Sequence, residues 1–152
     1  MTNQRLKEYL DDNYVNYECI KHLPAFTAQE TAHISHIKDK ELAKVVILKA
    51  DGKFLMMVLP ANFKVNLEKL RHEIKSDDLA LATEYEFEDQ FNDCELGAMS
   101  PFGNLYDLPI YADDRLCDDR SIAFNAGTHS ELIRIDWKDY LKLAHPKIVH
   151  LH

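Results

Sequence analysis

Leu6, Tyr9 and Leu10 fall at i, i+3 and i+4, the spacing of one helix face, and predict a short amphipathic helix that ends near Asn13. From Tyr14 to Ile20 the period changes to two, with Val15, Tyr17 and Cys19 turned one way, which predicts a half-buried strand. After Pro24, Thr27 followed three residues later by Glu30 carries the signature of a capping box, and a helix is expected through about Ile37. Val45 to Leu48 and Phe54 to Leu59 are apolar runs of strand length. Between them Asp51 and Gly52 supply turn residues, so the two runs predict a buried β-hairpin.

The second half continues the alternation. Asn66 caps a predicted helix with Leu67, Leu70 and Ile74 on one face, Leu79 to Ala82 reads as a short strand, and Thr83 with Glu86 forms a second capping-box signature ahead of Phe87 and Phe91. A turn-rich loop follows from Gly97 to Asn104. Leu108 to Ala112, Ser121 to Asn125 and Glu131 to Ile135 are predicted strands, and Asp136 is expected to cap a last helix with Trp137, Tyr140, Leu141 and Ala144 inward, stopped by Pro146. Strands joined partly by hairpins and partly by helices define an α+β class with a mixed sheet. No repeat or linker interrupts the chain, so residues 1–152 are read as a single domain. Neither GxGxxG nor GxxxxGK[ST] follows a strand, which removes the main signature of doubly wound nucleotide folds.

Composition narrows the class further. The 152 residues are 46% hydrophobic and 29% charged with only 4 Gly and 5 Pro, an ordinary globular balance. Phe54 to Leu59 is too short for a membrane helix, which needs about 20 residues, and the polar start carries no secretory signal, so the expected compartment is cytoplasmic. The 3 cysteines, Cys19, Cys94 and Cys117, are widely spaced and form no CxxC pair; they read as small buried hydrophobes without chemistry. A net charge of −8 argues against DNA and anionic membranes as partners. That charge is uneven: residues 1–75 hold 12 basic and 10 acidic side chains, residues 76–152 hold 6 and 16, so a phosphate contact would come from the first half.

Several residues carry candidate chemistry. Gly97-Ala98-Met99-Ser100-Pro101-Phe102-Gly103-Asn104 holds two of the 4 glycines and a proline, a composition that suits either a tight turn or a backbone clamp on an oxyanion or carbonyl. Phe124-Asn125-Ala126-Gly127-Thr128-His129 ends a strand in small residues and a histidine, a structural residue or an acid–base group. Lys44 enters a core strand, as a solvated strand end or as a fixed charge over a pocket, and Lys38, Lys40 and Lys49 make its surroundings basic. His33 and His36, at i, i+3 on the predicted helix, lack a third ligand at a recognisable spacing, so no metal is expected; His150 and His152 read as tail. Ser100 lacks the GxSxG elbow of a serine hydrolase. The doublets Asp113-Asp114 and Asp118-Asp119 read as solvated loop charge.

Thr27-Ala28-Gln29-Glu30-Thr31-Ala32, Lys44 ahead of Val45 to Leu48, the Gly97 to Pro101 GxxxP element, Leu108-Pro109-Ile110-Tyr111-Ala112-Asp113 and Phe124 to His129 occur in that order. Together they resemble the YbaK/prolyl-tRNA-synthetase-associated domain family, over roughly Tyr14 to Pro146. The resemblance implies a mixed sheet curled toward a barrel with flanking helices. It also implies an aminoacyl-tRNA deacylase that edits in trans, without metal or other cofactor. Under it Lys44, which holds the terminal adenosine or its phosphate, Gly97, at the substrate carbonyl, and His129, in the same pocket, form the catalytic set. Thr27, Ser100, Pro101, Asp113, Asn125 and Gly127 are the implied substrate contacts. Val45 departs from the Thr or Ser that many relatives carry there.

An aminoacyl ester is already activated, so positioning water or the vicinal ribose hydroxyl and stabilising an oxyanion suffice, which fits a chain without a nucleophilic triad. A synthetase discriminates against one missing methylene by only about 1–3 kcal/mol, and a second pocket removes the resulting errors. The implied substrate is tRNA mischarged with a small amino acid, Ala or Cys on proline tRNA. The implied partners are the tRNA acceptor end and an aminoacyl-tRNA synthetase whose recruitment would offset the acidic charge. Two other readings stay open: a catalytically silent module that binds an aminoacyl group, a nucleotide or a protein, and a hydrolase of another small ester.

Overall fold

The computed structural model describes residues 4–151. Met1 to Asn3 and His152, part of the polar start and of the tail noted above, lie outside the described residues. The chain forms α1 (Gln4–Asp12), β1 (Glu18–Lys21), α2 (Ala28–Ile34), β2 (Ala43–Ala50), β3 (Lys53–Pro60), α3 (Leu67–Ile74), β4 (Leu79–Leu81) and α4 (Glu84–Phe87). It continues through β5 (Ile110–Asp113), β6 (Ser121–Asn125), β7 (Glu131–Asp136), α5 (Trp137–Ala144) and β8 (Lys147–Val149).

Two sheets result, β1-β7-β6 and β4-β2-β3-β5-β8. They are open sheets, and a parallel bridge between Leu42 and Ala123 brings the start of β2 against β6. The α+β class is as expected, and the curl toward a barrel is limited to this junction. The β2–β3 hairpin pairs Ala50 with Lys53 across Asp51 and Gly52, both at positive φ (50° and 86°), the backbone a two-residue turn between twisted strands requires. β3 is apolar along its length because both of its faces are covered. Met56 and Val58 enter the cluster with Phe102, Phe124, Ile133 and Tyr140, under α1 and α5, whereas Leu55, Met57 and Leu59 meet Leu70 of α3. A third cluster, Ala32, Ile37, Leu42, Ala61, Ala123 and Leu132, packs α2 over the junction of the sheets.

Several elements depart from expectation. The strand predicted from Tyr14 begins only at Glu18, and its partly buried residue is Ile20, while Cys19 is exposed. Tyr14 sits at φ 58° after the end of α1, and Val15 and Tyr17 reach the core from irregular backbone. α2 ends at Ile34, and His36 lies beyond it at φ 57°, so His33 and His36 do not share a helix face. Asp136 occupies the N-cap of α5 but its side chain makes no capping bond. β8 was not foreseen; it pairs in parallel with β5, and His150 just after it meets Asp114 at 2.7 Å rather than hanging as tail. Cys117 is exposed and Cys94 is half-buried, with burial as the main cause that pushes its thiol up to about 12. Asp113 and Asp119 are buried rather than solvated. Among the described residues no helix is long and apolar enough to cross a membrane.

Candidate functional site

His129 follows the tight turn that leaves β6, and three contacts fix it. Its Nε2 lies 2.8 Å from the Leu96 carbonyl, which can only accept, so Nε2 carries the proton and Nδ1 is the ring's lone-pair site. Its backbone amide donates to the Glu95 carboxylate at 3.0 Å. Its carbonyl accepts from the Ala25 amide at 3.0 Å. The Phe26 ring then rests on the imidazole with centroids 4.8 Å apart.

Gly97 faces the same ring. A Cβ there would lie 3.3 Å from His129 Cε1, so the ring would have to give way, and Gly97 adopts φ +84°, which strains any L-residue. The two loops are laced together: the Gly127 amide donates to the Ala98 carbonyl at 3.0 Å, and the Glu95 amide donates to the Gly127 carbonyl at 2.8 Å. The Ala98 amide turns back to the Glu95 carbonyl, and the Gly97 amide donates to the Met99 thioether at 3.2 Å. Pro101 is anchored from the core, its carbonyl accepting from the Tyr140 hydroxyl at 2.8 Å. Ser100 is 3% exposed, and its hydroxyl has no partner among the described residues. The same holds for Asn125 Oδ1 at the end of β6.

Lys44 and Thr27 line a cavity of about 200 Å³ with Gln29, Asn62, Phe63 and Lys64. Lys44 is placed by the pairing of β2 with β3, opposite Leu59, and is half-buried. Burial and the nearby charge of Lys64 lower its pKa, and no ion pair neutralises either lysine among the described residues. Thr27 contributes structure: its hydroxyl accepts from the Glu30 amide at 3.1 Å and donates to the Glu30 carboxylate at 3.2 Å, which engages it fully in the cap of α2.

Asp113 is completely buried and its two oxygens hold Arg115, at 3.0 Å to Nε and 2.6 Å to an outer nitrogen. The guanidinium lies 3.6 Å from the centre of the Phe63 ring, so Asp113 reaches the cavity only through Arg115 and Phe63. The fold thus makes one group of Gly97, Gly127 and His129 and another of Thr27 and Lys44. Phe26 and Thr27, adjacent in the chain, join the two groups.

Glu95, Leu96, Phe26 and Lys64 were not among the residues read from sequence. Glu95 and Leu96 lie 34 and 33 residues from His129, and only the closing of two loops makes them neighbours. Phe26 stands directly before Thr27 in a motif already noticed. Among the described residues no group of three or more His, Cys, Asp or Glu side chains is gathered to hold a metal ion.

The α+β frame thus carries a histidine held against a glycine loop and, beginning at the residue after its Phe26 contact, a cavity lined by two lysines; similarity to known proteins gives the class. The chain belongs to the aminoacyl-tRNA editing domain family, whose model matches residues 22–143. It is 26% identical over 155 residues to the multifunctional Ser/Thr-tRNA deacylase ProXp-y of Escherichia coli K12, covering 99% of this chain and 92% of that protein. It is 26% identical over 141 residues to the prolyl-tRNA editing protein ProX of Acetoanaerobium sticklandii, covering 89% and 85%. It also matches 20% of a proline–tRNA ligase of Caldicellulosiruptor saccharolyticus, at 28% identity over 75% of this chain. A solved structure described as a candidate trans-editing enzyme for prolyl tRNA synthetase superposes with a TM-score of 0.82 at 21% identity, over 98% of this chain and 95% of that one.

Proposed function

We propose that the protein is an aminoacyl-tRNA deacylase that acts in trans, hydrolysing the ester that joins a small, wrongly attached amino acid to the 3′ end of a tRNA. The observation that carries this reading is the His129 ring, held in one tautomer by the Leu96 carbonyl and seated against Gly97. With Nε2 engaged, Nδ1 accepts a hydrogen bond from the attacking water or from the vicinal ribose hydroxyl and turns its oxygen toward the ester carbonyl. The Gly97 amide now rests on a thioether, a weak acceptor, so exchanging Met99 Sδ for a developing oxyanion strengthens its hydrogen bond. Lys44, with Lys64 near it and no carboxylate paired to either among the described residues, binds the phosphate of the terminal nucleotide.

Alanine or cysteine on proline tRNA is the leading substrate pair. A second reading, serine or threonine on tRNA, is favoured by the Ser100 hydroxyl and Asn125 Oδ1. Both are buried and have no partner among the described residues, and a substrate hydroxyl that reached them would satisfy one. Deacylation of alanyl-, cysteinyl- and prolyl-tRNA for proline, with seryl- and threonyl-tRNA alongside, tests the proposal. Selective loss of one mischarged species, abolished in Lys44→Ala, supports it and names the substrate. No hydrolysis of any species above buffer overturns it, in favour of a silent binding module or of another ester.

A further inference from the structure

Phe26 is 73% exposed, yet its position is fixed. Its ring lies against His129, and two backbone bonds fasten the segment that leads into it, from His22 N to Ser130 O at 2.9 Å and from Ala25 N to His129 O at 3.0 Å. Leu23, three residues earlier, is likewise 74% exposed. Directly after Phe26, Thr27 lines the cavity of Lys44 and Lys64. A large apolar ring left in water, one residue from the lining of a cavity whose two lysines have no ion-pair partner among the described residues, is half of a recognition site. A nucleotide completes it, because its base stacks on the ring while its phosphate meets the ammonium groups. A lone aliphatic side chain would leave those cations unused.

We propose that Phe26 is the stacking platform for the base of the 3′-terminal nucleotide of the RNA substrate. The inference rests on the deacylase reading for its substrate class and adds the residue that holds the base. Stacking there brings the terminal ribose, and the ester on it, beside the imidazole that Phe26 touches.

The test is binding of two uncharged acceptor-stem RNA hairpins, one ending in the complete 3′ nucleotide and one ending in the same nucleotide without its base, to wild type, Phe26→Ala and Phe26→Trp. Wild type is expected to bind the complete end about ten-fold more tightly than the abasic end. Phe26→Ala abolishes that preference, and Phe26→Trp restores it. With charged tRNA, Phe26→Ala raises KM by about the same factor and leaves kcat nearly unchanged, whereas a ring needed only to support His129 would lower kcat. A wild type with no preference, or a Phe26→Ala protein that keeps it, overturns the proposal and leaves the Leu23–Phe26 surface to a protein partner. A wild type that prefers the complete end but hydrolyses no charged tRNA refutes the deacylase reading instead, so the two failures are distinguishable.

Discussion

His129 Nε2 donates to the Leu96 carbonyl at 2.8 Å, and the next residue in that loop, Gly97, presents its bare Cα to the same ring. One loop therefore sets both the tautomer of the imidazole and the clearance on its face. Gly97→Ala places a methyl group 3.3 Å from Cε1 and holds an L-residue at φ +84°. The expected result is a loss of stability of about 1–2 kcal/mol in urea unfolding, with kcat down at least ten-fold as the ring is displaced. An alanine variant with unchanged kcat would show that the close approach does not matter to turnover.

Glu95 holds the His129 backbone from the facing loop. Its carboxylate accepts from the His129 amide, and its own amide closes onto Gly127. Glu95→Ala should lower kcat several-fold with little change in KM or melting temperature, since the side chain is largely exposed. Glu95→Gln, which still offers an acceptor oxygen, should recover most of the rate. Equal loss in both variants would mean that the charge, not the acceptor, is what His129 needs.

The buried carboxylate of Asp113 depends on Arg115. Removing the guanidinium leaves that charge without its partner, and Arg115→Ala is expected to destabilise the fold by about 3 kcal/mol in denaturant titration. It should also raise KM, because Phe63 loses the cation that lies on its ring. A cost below about 1 kcal/mol would show that solvent or another donor replaces Arg115.

Asp119 gives the fold a pH signature. Burial, reinforced by Glu41 and Asp118 and opposed by Lys40, pushes its carboxyl up to about 6 from an ordinary value near 3.8. The folded state therefore holds this proton more tightly than the unfolded chain, and the associated stability is full below the ordinary value and is lost as pH rises through about 6. Melting temperatures measured from pH 4 to 8 should show Asp119→Asn gaining on wild type across that window. Parallel curves would mean that Asp119 titrates normally.

Thr27, Asn66 and Thr83 each announced a helix start in the sequence, and each cap forms, because a cap bond joins residues three apart and owes little to the rest of the fold. The Asp51-Gly52 turn was legible for the same reason. β8 was not: it has three residues, one of them buried, and its partner β5 is parallel and far away in the chain. Nor could the doublet at Asp113 reveal burial, since that follows from the bidentate Arg115 contact. Lys44, Gly97 and His129 each kept a structural alternative when read by residue type, and only the family resemblance joined them as a set, whereas Glu95 and Leu96 became neighbours of His129 only through the lacing of two loops.

The most direct measurement is the single-turnover rate of ester hydrolysis on the best mischarged tRNA of the panel, with wild type and His129→Ala at saturating protein. If Nδ1 orients the nucleophile, the substitution lowers the rate by about 10²-fold or more while binding of uncharged tRNA is unchanged. An unchanged rate at saturation would contradict the account and leave His129 as a structural support for the glycine loop.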